Sequence, residues 1–189
     1  MDDYKKYRWF YTSNKTLVVG GKNAQQNDEL LRDVLSAKKD YYVMHTSSPG
    51  SPFSIMLKDR AKISEKEIDE CAIFTGCFSR AWREGKKKAI IDIFTTAQLS
   101  KTKEMKAGMW QVKNPIKRVG VELKLALAVQ RGILRAVPVT STEKVLMIVC
   151  PGSVDKRDMA AKLGVELGDK HAHDEIIAAL PAGNVRKCI

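Results

Sequence analysis

Several stretches of this sequence combine residue types and spacings that can do chemistry. In "TLVVGGKNAQQNDELL", from Thr16, a β-branched run enters Gly20 and Gly21, then Lys22, then Asn23 at the head of a helical pattern. A helix N-terminus offers unpaired N–H groups and the positive end of its dipole, which suits a phosphate oxygen. Lys22 would add a full charge there. The same residues also make a plain strand-to-helix turn, where glycine supplies a left-handed backbone. Neither G-x-x-x-x-G-K-[ST] nor G-x-G-x-x-G is present. The residues alone leave both readings open.

A second stretch, "KTKEMKAGMW", places Lys101, Lys103 and Lys106 before Gly108 and a tryptophan. It lies in a one-signed region: Lys86, Lys87, Lys88, Lys101, Lys103, Lys106, Lys113, Lys117 and Arg118 face only Asp92 and Glu104, a net of +7 within a chain whose formal charge is +11. From Asp155 to Glu175 the balance is −2. A solubility surplus would be spread more evenly, so the patch is a candidate surface for a polyanion. The bland alternative is a solvated charged loop.

His45 opens the turn-rich loop "TSSPGSP" and could act as a base toward Ser47, Ser48 or Ser51. Adjacency in sequence is not triad geometry, and no G-x-S-x-G elbow is present, so a structural or RNA-contacting histidine is the better reading. His171 and His173 lack a third ligand nearby, and no metal or cofactor is expected. Cys71 and Cys77, six residues apart on one helix, point different ways. With Cys150 and Cys188 they read as reduced, packed thiols. Arg8, Trp9 and Tyr11 share a strand, and alternation sets Arg8 opposite the two aromatics, with Trp9 in the core.

Positioning these groups requires an ordered set of elements. An opening hairpin turns at Ser13-Asn14, and Asn23 with Gln26 begins a helix whose apolar face is Leu30, Leu31, Val34 and Leu35. Strands "DYYVMH" and "FSIML" flank the Ser-Pro-Gly loop. Ser64 and Glu67 make a capping box for a helix carrying Ile68, Cys71, Thr75, Phe78 and Trp82. "AIIDIFTT" is a buried strand, and "GMWQV" and "KRVGVEL" are short ones. Residues 121–130 read as helical, "ILRAVPVTS" and "EKVLMIV" as a strand pair, and the segment ending at Gly168 as a helix. The expectation is an α+β fold, a mixed sheet flanked by helices in one compact domain over residues 1–168, with 169–189 a short tail or helix. The absence of a long apolar segment or a signal-peptide core predicts a cytoplasmic chain with no membrane partner.

"KYRWFYTSNKTLVVGGKNAQQNDELL", "YYVMH" with the following "GSP", "DECAIFTGCFSRAW" and "IDIF" with "LSKTKEMKAGMWQV" together resemble the NFACT-R (DUF814) module of the NFACT proteins, from about Lys5 to Val121. NFACT proteins act on the large ribosomal subunit in quality control of stalled nascent chains. The resemblance implies a small standalone member of the family, and it singles out Trp9, Gly21, Lys22, Asn23, Asn27, His45, Gly50, Ser51, Lys101 and Gly108. Where the family often reads His-Ala-Asp, this chain reads His45-Thr46-Ser47 and lacks the acid.

The expected function is therefore non-enzymatic RNA binding, to ribosomal or transfer RNA in a translation or ribosome quality-control setting, with the large ribosomal subunit as a possible partner. The RNA-binding candidates are Arg8, Lys22, Asn23, Asn27, His45, Ser51, Lys86, Lys87, Lys88, Lys101, Lys103, Lys106, Lys113, Lys117 and Arg118. Trp9, Gly20, Gly21, Gly50 and Gly108 are expected to serve the fold. A ribosome-associated protein adaptor is the alternative, and an RNA-processing enzyme using His45 is the least supported.

Overall fold

A computed structural model of the chain describes residues 3–168 and 170–188. In chain order the elements are β1 (Arg8–Tyr11), β2 (Leu17–Gly20), α1 (Ala24–Ser36), β3 (Tyr42–Thr46), β4 (Ser54–Met56), α2 (Glu65–Cys77), α3 (Arg80–Arg83), β5 (Lys88–Thr95) and β6 (Leu99–Ser100). There follow β7 (Gln111–Val112), β8 (Lys117–Glu122), β9 (Leu125–Gln130), β10 (Ile133–Val137), β11 (Met147–Val154), α4 (Lys156–Glu166), α5 (His173–Ala179) and β12 (Val185–Lys187). The α+β architecture expected from the sequence is the one observed. Its strands make a six-stranded sheet ordered β1-β2-β4-β3-β5-β8, a four-stranded sheet ordered β10-β9-β11-β12, and a β6-β7 ribbon. The pairings within them are antiparallel rather than mixed.

Strand alternation explains how the large sheet is buried on both faces. Trp9, Val19, Val43 and Ile55 join Leu30, Leu31 and Val34 of α1 in one apolar cluster. Their chain neighbours Phe10, Val18, Met44 and Met56 join Ile68, Cys71 and Phe74 of α2 in the other. This second cluster continues without a break into the smaller sheet through Leu125, Leu127, Leu134 and Val149, and on to Leu163 and Ile176 of α4 and α5.

Both capping assignments are realised. Asn23 Oδ1 accepts from Gln26 N at 2.9 Å, while Gln26 Oε1 accepts from Lys22 N at 3.0 Å, one residue before the cap. Ser64 and Glu67 close their box, and Glu67 does more. Its fully buried carboxylate accepts from Thr12 Oγ1 at 2.9 Å, from Asn14 Nδ2 at 3.2 Å and from Thr16 Oγ1. Burial opposes its charge, but the Ser64 N–H and these side-chain donors hold its pKa down to about 2. Glu67 thereby fastens the β1–β2 turn to the start of α2.

Four expectations are corrected. The segment 121–130 is strand, not helix: β8 ends at Glu122, and the Leu-Ala run of β9 is paired on both sides, by β10 and β11. Leu and Ala are good helix formers, but sheet pairing with burial of both strand faces outweighs that preference. Arg131 and Gly132, with φ of 52° and 74°, make the two-residue hairpin between β9 and β10. Strands β10 and β11 share a sheet but are separated by β9. The segment after 168, read as a short tail or helix, does contain the helix α5 but also a strand, β12, which pairs with β11. Cys150 and Cys188, read as reduced thiols, form a disulfide with a Cα–Cα distance of 6.0 Å, which ties β11 to the segment after β12. Cys71 and Cys77 are free and buried, and burial pushes both thiols far up in pKa.

Candidate nucleic-acid interface

A groove of about 690 Å³ opens beside the start of α1. Lys22, Asn23 and Asn27 line it from α1 and the turn before it; His45 and Thr46 line it from β3. The 47–53 loop adds Gly50 and Ser51, the end of α2 adds Phe78, and the 107–112 segment adds Gly108, Met109 and Trp110. Arg8 projects into it from β1. Of the residues singled out by motif order, Gly21, Lys22, Asn23, Asn27, His45, Gly50, Ser51 and Gly108 thus converge here from separated parts of the chain, while Trp9 and Lys101 lie outside the lining.

Each is held by local chemistry. Neither Gly20 nor Gly21 has a positive φ, so the left-handed turn expected there is absent. Gly21 is required for space: a Cβ would collide with Asn27 Oδ1 and sit 2.7 Å from Asn27 N. Asn27 Oδ1 in turn accepts from Phe53 N at 3.3 Å and joins α1 to the loop. Ser51 Oγ accepts from Thr46 N at 2.9 Å, and Arg80 N donates to Gly50 O at 2.7 Å, which closes the loop on itself and on α3.

His45 contacts the Thr46 carbonyl through Nδ1 at 2.7 Å and stacks on Phe53, centroids 4.6 Å apart. Facing a carbonyl, Nδ1 must carry the proton, so Nε2 is an acceptor. Burial lowers the imidazole pKa, against opposing pulls from the Thr46 carbonyl and Asp92. Asp92 lies across from His45 on β5 and accepts from Ser47 Oγ at 2.6 Å and from Arg118 Nε at 2.6 Å. Burial raises its pKa, but Arg118 and Ser47 outweigh this and leave it low. Asp92 thus sets a carboxylate beside Ser47.

Arg8 differs from these. Its guanidinium lies over the Phe78 ring at 4.7 Å, and among the described residues no carboxylate or hydrogen-bond acceptor engages it. Burial lowers its pKa. Among the described residues its forked donors meet no acceptor, and the side chain lines the groove.

The lysine run behaves otherwise. Lys101 is the largest correction: Nζ lies 2.8 Å from Asp28 Oδ1 and also donates to the carbonyls of Lys106 and Met109. Trp110 Nε1 donates to Asp28 Oδ1 at 2.8 Å. Burial would raise the Asp28 pKa, but Lys101, Trp110 and the Gly108 N–H bring it below its ordinary value. Gly108, at φ +77°, packs against Ala24 where a Cβ would meet its Cβ at 2.7 Å. Lys101 is a clamp for the loop, not a free cation.

Lys103 lines a separate cleft with Asp28 and Arg32, and Lys87 lines one beside Cys150 and Cys188. Lys86 pairs with Glu84, Lys117 with Glu65 and Arg118 with Asp92. Lys86, Lys87, Lys88, Lys103, Lys106, Lys113, Lys117 and Arg118 all lie outside the groove lining, so the one-signed patch of the sequence is not a wall of this groove. Phe78, Arg83 and Met109 line the groove and were not anticipated. Phe78 lies in "DECAIFTGCFSRAW" and Met109 in "LSKTKEMKAGMWQV", so the order of these stretches held a signal for both, while Arg83 follows the first by one residue and had none. His171 pairs with Glu175 and His173 with the Arg157 carbonyl, and the described residues contain no cluster of three potential metal ligands. No helix among them is long and apolar enough to cross a membrane.

In this α+β fold Arg8, which has no carboxylate partner among the described residues, thus shares an aromatic-lined groove with the capped start of α1. The chain is a member of the NFACT protein RNA binding domain family, whose family model matches residues 6–114. It is also 27% identical over 195 residues to the archaeal Rqc2 homolog aRqcH of Methanocaldococcus jannaschii, covering 95% of this chain and 28% of that protein. The C-terminal part of the fibronectin/fibrinogen-binding protein of Streptococcus suis shares the fold, with a TM-score of 0.51 at 23% identity over 62% of this chain and 44% of that one. This chain therefore spans less than half the length of either.

Proposed function

We propose that the chain is an RNA-binding module that acts by binding alone, without catalysing a reaction, and that its groove engages structured ribosomal or transfer RNA in cytoplasmic ribosome quality control. The observation that carries this reading is Arg8, whose unpaired guanidinium enters a groove assembled from the family's motif residues. The description of the family as RNA binding and the similarity to an Rqc2 homolog support it. Binding without catalysis fits the site: Ser47 Oγ donates to Asp92 and Ser51 Oγ accepts from Thr46 N, and among the described residues neither hydroxyl is hydrogen-bonded to His45 Nε2. Contacts of this kind read backbone and shape.

RNA crosslinked to the chain in cells, recovered and titrated at two salt concentrations, tests the reading. Enrichment of ribosomal or transfer RNA, with affinity falling steeply in salt, is the expected result. No enrichment above background overturns it. Exposed Met109, Val112 and Ile116 favour a second reading, a protein adaptor at the ribosome, which predicts a specific protein complex that survives nuclease.

A further inference from the structure

The family match ends at residue 114, yet the groove does not end with it. Ala182, from the segment between α5 and β12, lines the groove, and the neighbouring Gly183 packs so closely on α3 that a Cβ would lie 2.8 Å from Arg83 Cα. The smaller sheet meets the edge strand β1 along a defined seam. Gln130 uses both ends of its amide there, accepting from Tyr11 N at 2.8 Å and donating to Tyr11 O at 2.9 Å. Arg135 on β10 donates Nε to Trp9 O at 3.2 Å and lies 4.7 Å over the Trp9 ring. Lys156, at the start of α4, donates to Leu180 O at 2.9 Å, two residues before Ala182.

Arg8 and Lys22 line the groove, while Arg135 and Lys156 stand outside its lining, held beside it at the carbonyls of Trp9 and Leu180. Arg135 and Lys156 are each pushed down in pKa first by burial and then by Arg8, Arg135 to about 10. Lys22 is pushed down by burial, then by Arg135 and Arg8. None of the four has a carboxylate partner among the described residues. Like charges held together and partly desolvated oppose folding, and carbonyls and ring faces compensate only in part. A bound anion would relieve the repulsion. The forked guanidinium donors of Arg8 match the paired oxygens of a phosphodiester.

We propose that Arg8, Lys22, Arg135 and Lys156 form one seat for an RNA backbone phosphate at the seam of the two sheets, so that the smaller sheet, outside the matched segment, is half of the interface. This rests on the RNA-binding reading above. The seat makes Lys156 a ligand contact although it lies 148 residues after Arg8. It also gives β10 and α4 a role beyond covering the core.

The experiment is salt-dependent binding of a transfer RNA and of polyuridine to the intact chain and to Lys156→Gln, Lys22→Gln and Lys156→Arg. Lys162→Gln, an exposed lysine elsewhere on α4, is the control, and thermal melts report folding of each variant. Lys156→Gln and Lys22→Gln should each lower the slope of log K against log salt, by at most the about 0.7–0.9 that one phosphate contact is worth. Lys156→Arg and Lys162→Gln should preserve it. A folded Lys156→Gln with an unchanged slope, on a wild-type chain that binds, overturns the seat and leaves the groove reading standing. A wild-type chain that binds neither RNA overturns both.

Discussion

Lys101 Nζ lies 2.8 Å from Asp28 Oδ1 with side-chain exposures of 11% and 9%, joining a loop to a helix 73 residues earlier in the chain. With Trp110 Nε1 on the same carboxylate oxygen, this pair fixes the loop that forms one wall of the groove. The most basic stretch of the sequence therefore uses its first lysine to build the site.

Lys101→Ala should destabilise the fold by about 3–5 kcal/mol, the usual cost of leaving one partner of a buried pair uncompensated. Denaturant unfolding measures it. The salt slope of RNA binding in the folded fraction should stay at the wild-type value, because Lys101 is not a phosphate contact.

Glu67 predicts an acid transition. Its folded pKa of about 2 lies below the ordinary 4.5, so its stabilisation is present above pH 4.5 and is lost as pH falls through 2. The shift corresponds to about 3 kcal/mol. Unfolding free energy followed between pH 6 and 2 should show a decline over that window which Glu67→Gln lacks, from a lower starting stability.

Gly21→Ala should cost about 1–3 kcal/mol through overpacking against Asn27, although Gly21 is not in a left-handed conformation. Gly132→Ala, where the surroundings are open but φ is +74°, separates strain from crowding. In a crystal structure Asn27 should move only in the Gly21 variant.

Reduction of Cys150–Cys188, which are 38 residues apart, should lower stability by about 4 kcal/mol if the chain-entropy account holds. Cys71 and Cys77 should resist alkylation in the folded protein, since burial disfavours their thiolates. Mass spectrometry after labelling with and without reductant reads both: the oxidised native chain should take up no label, and the reduced native chain should take it up at Cys150 and Cys188 alone.

Much of the site was legible because it rests on local rules. Asn23 and Ser64 capped their helices as their types require, the hairpin turned at Ser13-Asn14, and alternation along β1 set Arg8 apart from Trp9. Motif order also placed Lys22, Asn27, His45 and Ser51 at one groove, because segments that recur in a fixed order occupy fixed places in a shared fold. Charge counting served less well, since a lysine run carries no information about which of its members meets an acid. Lys117, Arg118 and Lys86 all met one.

The sequence by itself determined the α+β class, both helix starts and the opening hairpin, which follow from patterns spanning a few residues, and through motif order the set of residues around Asn23. Only the tertiary structure decided that 121–130 is strand, that Cys150 meets Cys188, that Lys101 is spent on Asp28, and that Arg135 and Lys156 come to Arg8. The strand depends on pairing with β10 and β11, and the other outcomes on partners 38 to 148 residues away. No local propensity or spacing encodes such a partner; it is selected when two sheets pack around one core and each buried polar group must find whatever the packing brings near.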